Sequence, residues 1–432
     1  MAKSPQEEPV TPSFEETDQP QKSSVSLITK EVKAAGLQVK PTISNFYTLI
    51  TDHYINTLRM NEMTGKPEWW NNRKKKWLEW TDAQESEARS YFEETYSMYS
   101  QAKLADALAI YFKDHKVNPL LDILEKLQWD GKPRVEHFLH DVMKAEDNEY
   151  TRECSRLIFA GGIHRAYDPG CKFDDMIVLI GGQSAGKSTI VRWLNMDDSF
   201  FREIKTISGK EGIEAIRGVW IGEVAELMAM TRVKEAEAVK AYITSQEDSY
   251  RPPYAKHVQT IQRRCMFIGT TNNPQFLTDK TGNRRFYPVK VNSFAYKLYD
   301  NEEAVKDYIR QAWAEAVHKY KEKQLQPFAR KEVLDQIRAA QEMAMEDDWR
   351  IGAIEQYLED QKRKPGDTVS VIELWHRALG EPEESKPTRK DSIEITQIIT
   401  NIPGWIQCQN LISTNWGRQK GFRKDNYAAL WK

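Results

Sequence analysis

The chain has 432 residues, 40% hydrophobic and 29% charged, with a formal net charge of −2. That length exceeds one ordinary core and predicts two or three domains, and the composition excludes a disordered or membrane protein. A net charge near zero excludes wholesale electrostatic wrapping of nucleic acid, though a local basic channel stays open.

Residues 1–27 are rich in Pro, Gln, Glu and Ser and poor in large apolar side chains, which predicts a disordered tail. No apolar stretch follows a basic one there, as a secretory signal requires, and no run approaches the roughly 20 apolar residues of a membrane span. Cys154, Cys171, Cys265 and Cys408 include no C-x-x-C pair. Structural zinc and a disulfide framework are therefore not expected, and a reducing, cytoplasmic compartment is.

Residues 28–114 read as a mixed α+β region. Inside it, "EWWNNRKKKWLEW" (68–80) sets Trp69, Trp70, Trp77 and Trp80 around Arg73, Lys74, Lys75 and Lys76. Aromatics with cations can stack bases and hold phosphates. The preferred reading is a hairpin with a charged turn and core strands. Residues 115–350 read as the main α/β domain, its helical entry broken at Pro119 and at "WDGKP". "MIVLIG" (176–181) is a buried strand, "STIVRWLN" starts a helix, and "VWIG" (219–222) and "CMFIG" (265–269) are further strands. Strands separated by helices predict a parallel sheet flanked by helices. A linker, "KRKPGD" (362–367), opens a small C-terminal domain over 362–432. A winged helix is one reading of it, and Arg418, Lys420, Arg423 and Lys424 would suit DNA.

Gly181, Gly182, Gln183, Ser184, Ala185, Gly186, Lys187 and Ser188 fill G-x-x-x-x-G-K-[ST] between a strand and a helix, with Thr189 directly after them. Glycines let backbone N–H groups face the β- and γ-phosphates of ATP, and the helix start favours the anion. Lys187 would neutralise the γ-phosphate and the Ser188 hydroxyl would ligand Mg²⁺. "RGVWIGEVAEL" ends a second strand in carboxylates. Glu223 is the better placed to hold the metal or activate water, and Glu226 could share the work. "CMFIGTTNN" ends a third strand near Asn272, whose amide could orient the attacking water. Arg284 and Arg285 in "DKTGNRRFYPVKV" could stabilise transition-state charge, in trans if subunits form a ring.

These motifs, in this order, resemble the virulence-associated protein E family, helicase-like ATPases of phages and mobile elements grouped with superfamily 3 helicases in the AAA+ class. "LQWDGKPRVEHFL" and "AYDPGCKFDDMIVLIGG" extend the resemblance, which covers about residues 115–292. It implies an AAA+ P-loop core. It matches Gly181 to Thr189 to the phosphate loop, Glu223 to the second motif, Asn272 to the sensor, and Arg285 to the arginine finger, with Arg284 a close rival. Many superfamily 3 members carry two adjacent acids at the second motif. Here Gly222 and Val224 flank Glu223, so the division of metal and base roles stays open.

Residues 248–264, "DSYRPPYAKHVQTIQRR", carry Arg251, Lys256, Arg263 and Arg264 with no acid between 251 and 264. The two prolines favour an extended hairpin, with Lys256 and His257 at the tip. In a ring's pore it would track DNA phosphates without regard to sequence. Lys240, on the preceding helix, reads as a solvated residue. Together these features predict an ATP-driven DNA helicase or translocase forming a homo-oligomeric ring, expected to be a hexamer, on single-stranded or forked DNA. No D-x-D motif is present, so priming or initiation would fall to a separate partner. The rivals are a loader or remodelling ATPase that does not unwind, and a protein that interferes with host or rival-phage replication.

Overall fold

The structure, a computed structural model, describes residues 27, 29–32, 36–54, 56–207, 209–225, 233–250, 258–277, 283–345, 349–364, 366–408, 410 and 412–425. Contacts divide the chain into two units, 1–345 and 346–432. Among the described residues, no helix is long and apolar enough to cross a membrane.

The first unit opens with a mixed α+β region. Helix α1 (Ile43–His53) begins where Thr42 Oγ1 accepts the Asn45 N–H at 3.2 Å, an N-cap that satisfies one orphan donor. Strands β1 (Leu58–Asn61), β2 (Lys66–Asn71) and β3 (Lys76–Glu79) pair antiparallel, and β4 (Lys116–Val117) joins β1 in parallel. Helices α2 (Asp82–Tyr96) and α3 (Gln101–Asp114) complete a core holding Phe46, Ile50, Phe92, Leu108 and Phe112. Trp69 and Trp80 pack against that core, as expected for strands with one buried face; Trp70 and Trp77 do not belong to it. Successive side chains of a strand point to opposite faces, which divides the four tryptophans in this way.

The centre of the unit is a five-stranded parallel sheet. In chain order its parts are α4 (Glu149–Tyr167), β5 (Met176–Ile180), α5 (Lys187–Leu194), β6 (Phe201–Glu203) and β7 (Ile221–Ala225). There follow α6 (Val233–Thr244), a hairpin of β8 (Glu247–Tyr250) and β9 (Gln259–Gln262), β10 (Met266–Thr271), β11 (Phe286–Lys290), α7 (Glu302–Lys321) and α8 (Leu334–Met343). The sheet order is β11-β5-β10-β7-β6. The sequence reading identified β5, β7 and β10 and missed the two edges. β6 has three residues, and β11 contains Pro288, which argues against a central strand but is tolerated on an edge.

Both faces of the sheet are covered, so its strands read as continuous apolar runs. Ile177 and Leu179 enter one core with residues of α4, α5 and α7. Met176, Val178 and Ile180 enter the other, with Val239, Tyr242 and Ile243 of α6. Trp220 and Trp313 meet in the first core with ring centroids 4.3 Å apart, and each indole N–H donates to a backbone carbonyl, Gly162 and Leu194 respectively, at 2.9 Å. Lys240 is buried at 8% exposure rather than solvated. It sits next to Val239 on the helix, whose apolar side seats against the sheet.

The second unit carries α9 (Trp349–Asp360), β12 (Thr368–Ser370), α10 (Arg389–Asn401), β13 (Trp405–Gln407) and β14 (Gly421–Lys424). Its sheet runs β12-β14-β13, beside a short hairpin of 412–414 and 417–419. α10 starts with a capping box in which Thr388 and Asp391 satisfy each other's backbone N–H. Ile354, Leu358, Leu374, Ile395, Ile399, Trp405 and Phe422 form its core.

Candidate functional site

All five central strands are parallel, so their carboxyl ends lie along one edge. The chain leaves β5 toward β6 on one side and returns to β11 on the other. The loop after β5 thus stands where the winding changes sides, the usual place for a ligand in an open α/β sheet.

That loop is glycine-dependent at two points. A Cβ on Gly181 would lie 2.8 Å from the Val291 carbonyl oxygen, closer than side chains tolerate. Gly186 has φ 76°, a left-handed conformation, and serves as N-cap of α5 without a side-chain hydrogen bond. The first N–H groups of α5 therefore receive no capping side chain, which suits them to an anion. Ser184 also has positive φ, 64°. The Ser293 hydroxyl holds the loop from behind by donating to the Ala185 carbonyl at 2.5 Å.

Lys187 leads α5 and folds back over the loop. Its Nζ donates to the carbonyls of Gly181 (2.7 Å) and Gly182 (2.9 Å) and to Asn272 Oδ1 (2.8 Å). Burial draws this ammonium below the usual lysine value, with Glu223 acting in the opposite sense. One residue on, Ser188 Oγ donates to Glu223 Oε1 at 2.6 Å. Thr270 Oγ1 donates to the same oxygen at 2.7 Å. Glu223 is only 2% exposed, at the middle of β7. The structure thus gathers Gly181 to Ser188 from the loop after β5, Asn272 from the end of β10, and Glu223 from the middle of β7 rather than from the strand end that the sequence led us to expect. Thr189 lies just outside, its hydroxyl 3.3 Å from Tyr299 Oη.

Two residues of this cluster were not anticipated. Thr270 orients the carboxylate; its place two residues before Asn272 was the available signal. Ser293 follows β11 after the chain crosses the sheet, and no local pattern marks it.

Two hollows flank the loop. One, of about 830 Å³, is bordered by Ser188, Thr189, Glu223, Tyr299 and Lys306. The other, of about 860 Å³, is bordered by Asn148, Tyr150, Ile180, Asn292 and Ala340.

The described arginines among the remaining candidates lie apart from this cluster. Arg284 (exposed) and Arg285 (half-buried) close the turn before β11. Phe286 is in register with Met176, the first residue of β5, while the loop follows Ile180 at its other end. Four residue steps place the two arginines at the opposite edge, roughly 13 Å of strand away from the loop. Glu226, Arg251, Lys256 and His257 lie outside the described residues. The antiparallel hairpin of β8 and β9 leads to and from the last three. Arg263 is corrected: it is 2% exposed, so it does not present a cation to DNA. Its Nε donates to Asp248 Oδ2 at 2.9 Å, and its other nitrogens meet Asp248 and the Tyr242 carbonyl. Its charge is consumed in seating the hairpin base, as a buried guanidinium requires. Arg264 keeps partial exposure and pairs with Glu62 at 3.7 Å.

A profile of the virulence-associated protein E-like domain matches residues 124–346. The sequence matches no curated protein. Among solved structures, it aligns with an apo structure of the NrS-1 C-terminal region at 13% identity and TM-score 0.48. Its A-form apo structures align at 12% and 13% identity, with TM-scores of 0.47 and 0.48. Each alignment covers 88% of this chain and 98% of the other.

Proposed function

The chain belongs to the virulence-associated protein E-like family, and from that premise we propose that it is an ATP-driven DNA helicase or translocase, working as a homo-oligomeric ring in phage or mobile-element replication. The observation that carries the reading is the convergence of Lys187, Ser188, Glu223 and Asn272 on one glycine-dependent loop. A lysine, a hydroxyl, a carboxylate and an amide at a helix start are the set that phosphoryl transfer to water uses.

In this reading the sheet and loop are an AAA+ P-loop core. Backbone N–H groups of residues 182–188 and Lys187 hold the triphosphate of ATP. Ser188 and Glu223 offer the oxygen ligands suited to Mg²⁺, and the ion would neutralise phosphate charge. Glu223, steadied by Thr270, takes the proton of the attacking water, with Glu226 as the alternative base. Asn272, already on Lys187, reports the γ-phosphate to the third strand.

Arg284 and Arg285 stand at the far edge of the sheet from their own loop, which supports action on a neighbour's nucleotide. That requirement favours a ring, and six subunits are the expected number. The hairpin tip with Arg251, Lys256 and His257 would face the pore, moved by α6 and β10 as the nucleotide turns over, and Arg264 would add charge at its base. The second unit would act as a winged-helix accessory on single-stranded or forked DNA. A separate primase or initiator would supply priming, in the host cytosol.

The test is ATP hydrolysis with and without single-stranded DNA, for wild type, Lys187→Ala and Arg285→Ala. DNA-stimulated turnover, lost in each variant and partly restored by mixing them, is the expected result. Turnover that ignores DNA would favour a partner-gated loader. Loss in Arg285→Ala that mixing does not restore would place the arginine in its own subunit's site and remove the argument for a ring.

A further inference from the structure

The outer face of the N-terminal sheet has a composition that the ATPase reading does not use. Trp70 and Trp77 are directly opposed on β2 and β3, on the face turned away from the core that takes Trp69 and Trp80. Their rings meet edge to face with centroids 5.6 Å apart. The Arg59 guanidinium lies 4.0 Å over the Trp77 ring and fixes its plane. Both indoles are half-buried, so part of each ring system meets solvent.

Next to this aromatic pair runs the longest unbroken series of basic residues in the sequence. Arg73, Lys74, Lys75 and Lys76 follow one another through the exposed turn. The turn is shaped, not loose: Asn71 Oδ1 accepts the Lys74 N–H at 2.8 Å and Lys75 takes φ 48°. The acids on the same face are already neutralised. Glu68 pairs with Arg59 at 2.7 Å and accepts from Asn61 at 2.8 Å, while Glu79 pairs with Lys66 at 2.8 Å. The net field at the tip is therefore positive, and the charge complement is an anionic chain with flat groups to stack.

We propose that this face is a docking site for single-stranded nucleic acid, with bases stacked on Trp70 and on the face of Trp77 away from Arg59, and the backbone held by Arg73, Lys74 and Lys76. A duplex is the poorer occupant, because its base faces are already stacked on one another and cannot meet an indole. Stacking platforms beside a basic groove are a general means of holding single strands without reading sequence. The site is independent of ATP turnover, and it lies on a different element from the 248–264 hairpin.

The experiment is fluorescence anisotropy of labelled dT20 on the full chain without nucleotide, across a salt series. It is run in wild type and in an Arg251→Glu/Lys256→Glu background, so that loss at the hairpin and loss at the sheet are read separately. In both backgrounds Trp70→Ala weakens binding roughly tenfold and Trp70→Phe restores most of it. Lys74→Gln/Lys76→Gln weakens binding and makes the salt slope shallower by about 1.4, as two fewer phosphate contacts require. Wild-type protein irradiated with 5-iododeoxyuridine oligonucleotide crosslinks at a peptide containing Trp70 or Trp77, a result that needs no variant to fold. Affinity unchanged by Trp70→Ala or by the lysine pair overturns the proposal. So do equal affinity for a blunt duplex and crosslinks confined to other segments.

Discussion

Ser188 and Glu223 are 35 residues apart in sequence and share a hydrogen bond of 2.6 Å, with the Thr270 hydroxyl on the same carboxylate oxygen. One carboxylate therefore ties the helix after the glycine-rich loop to two neighbouring strands. Replacing it with an amide of the same shape separates its charge from its packing. Glu223→Gln is expected to retain binding of a fluorescent ATP analogue while hydrolysis falls by roughly 10²–10⁴-fold, the range for loss of a general base. Equal loss of binding and turnover would assign Glu223 to architecture alone.

The loop glycines differ in what a methyl group would meet. Gly181→Ala brings a Cβ to 2.8 Å from a backbone oxygen, whereas at Gly182 nothing lies within 4 Å. Gly181→Ala is expected to cost about 1–3 kcal/mol, the usual range for overpacking. Gly182→Ala stays within about 0.5 kcal/mol. Thermal or urea unfolding of the two variants side by side checks the contrast.

Glu153 is fully buried and binds Arg156 in a bidentate pair at 2.6 and 2.9 Å, with Arg330 added at 2.6 Å. Burial pushes its carboxyl up, but the two guanidinium groups and the Arg330 N–H outweigh this and hold it below the usual glutamate value. The folded form thus favours the ionised acid, so this contribution is present above the unfolded value and is lost as pH falls through the folded one. Glu153→Ala leaves two cations without their shared partner and should cost about 3–5 kcal/mol at neutral pH. The deficit relative to wild type should shrink in acid, measured as unfolding free energy against pH.

Asp175 behaves in the opposite sense. Burial raises its carboxyl from 3.8 to about 7, with the Tyr287 hydrogen bond acting in the opposite sense. The folded chain then holds a proton that the unfolded chain releases, so stability falls as pH rises between about 4 and 7, by at most about 1.4 kcal/mol per pH unit. Asp175→Asn is expected to raise the Tm at pH 8 and leave it near wild type at pH 4. A gain of equal size at both pH values would point to packing instead.

The grouping of the loop, Glu223 and Asn272 was legible because each motif is contiguous and lies in or directly after an apolar run, so the local pattern brings them to one sheet. Arg263 and Lys240 were not. Their positive charge reads as solvated unless the buried surroundings are known, and those are contributed by Asp248 and by the packing of α6 on the sheet. The edge strands escaped for a related reason. β11 owes its pairing to β5, far earlier in the chain, and Pro288 disguises it locally. In the tryptophan segment, the basic run between two tryptophan pairs announced the hairpin but not which two indoles would face outward. That choice depends on the helices that cover one side.

The order of the central sheet also governs how the chain is made. β5 is synthesised first, yet its two hydrogen-bonded neighbours are β10 and β11, the last two strands. On the ribosome, an apolar strand must therefore wait with both edges open until β10 has emerged, and with one edge open until residue 290 has. Translation that stalls between β7 and β11 would leave β5 exposed, an invitation to chaperones or to aggregation. The glycine-rich loop, pinned by Thr271, Val291 and Ser293, takes its shape only at the end of that wait.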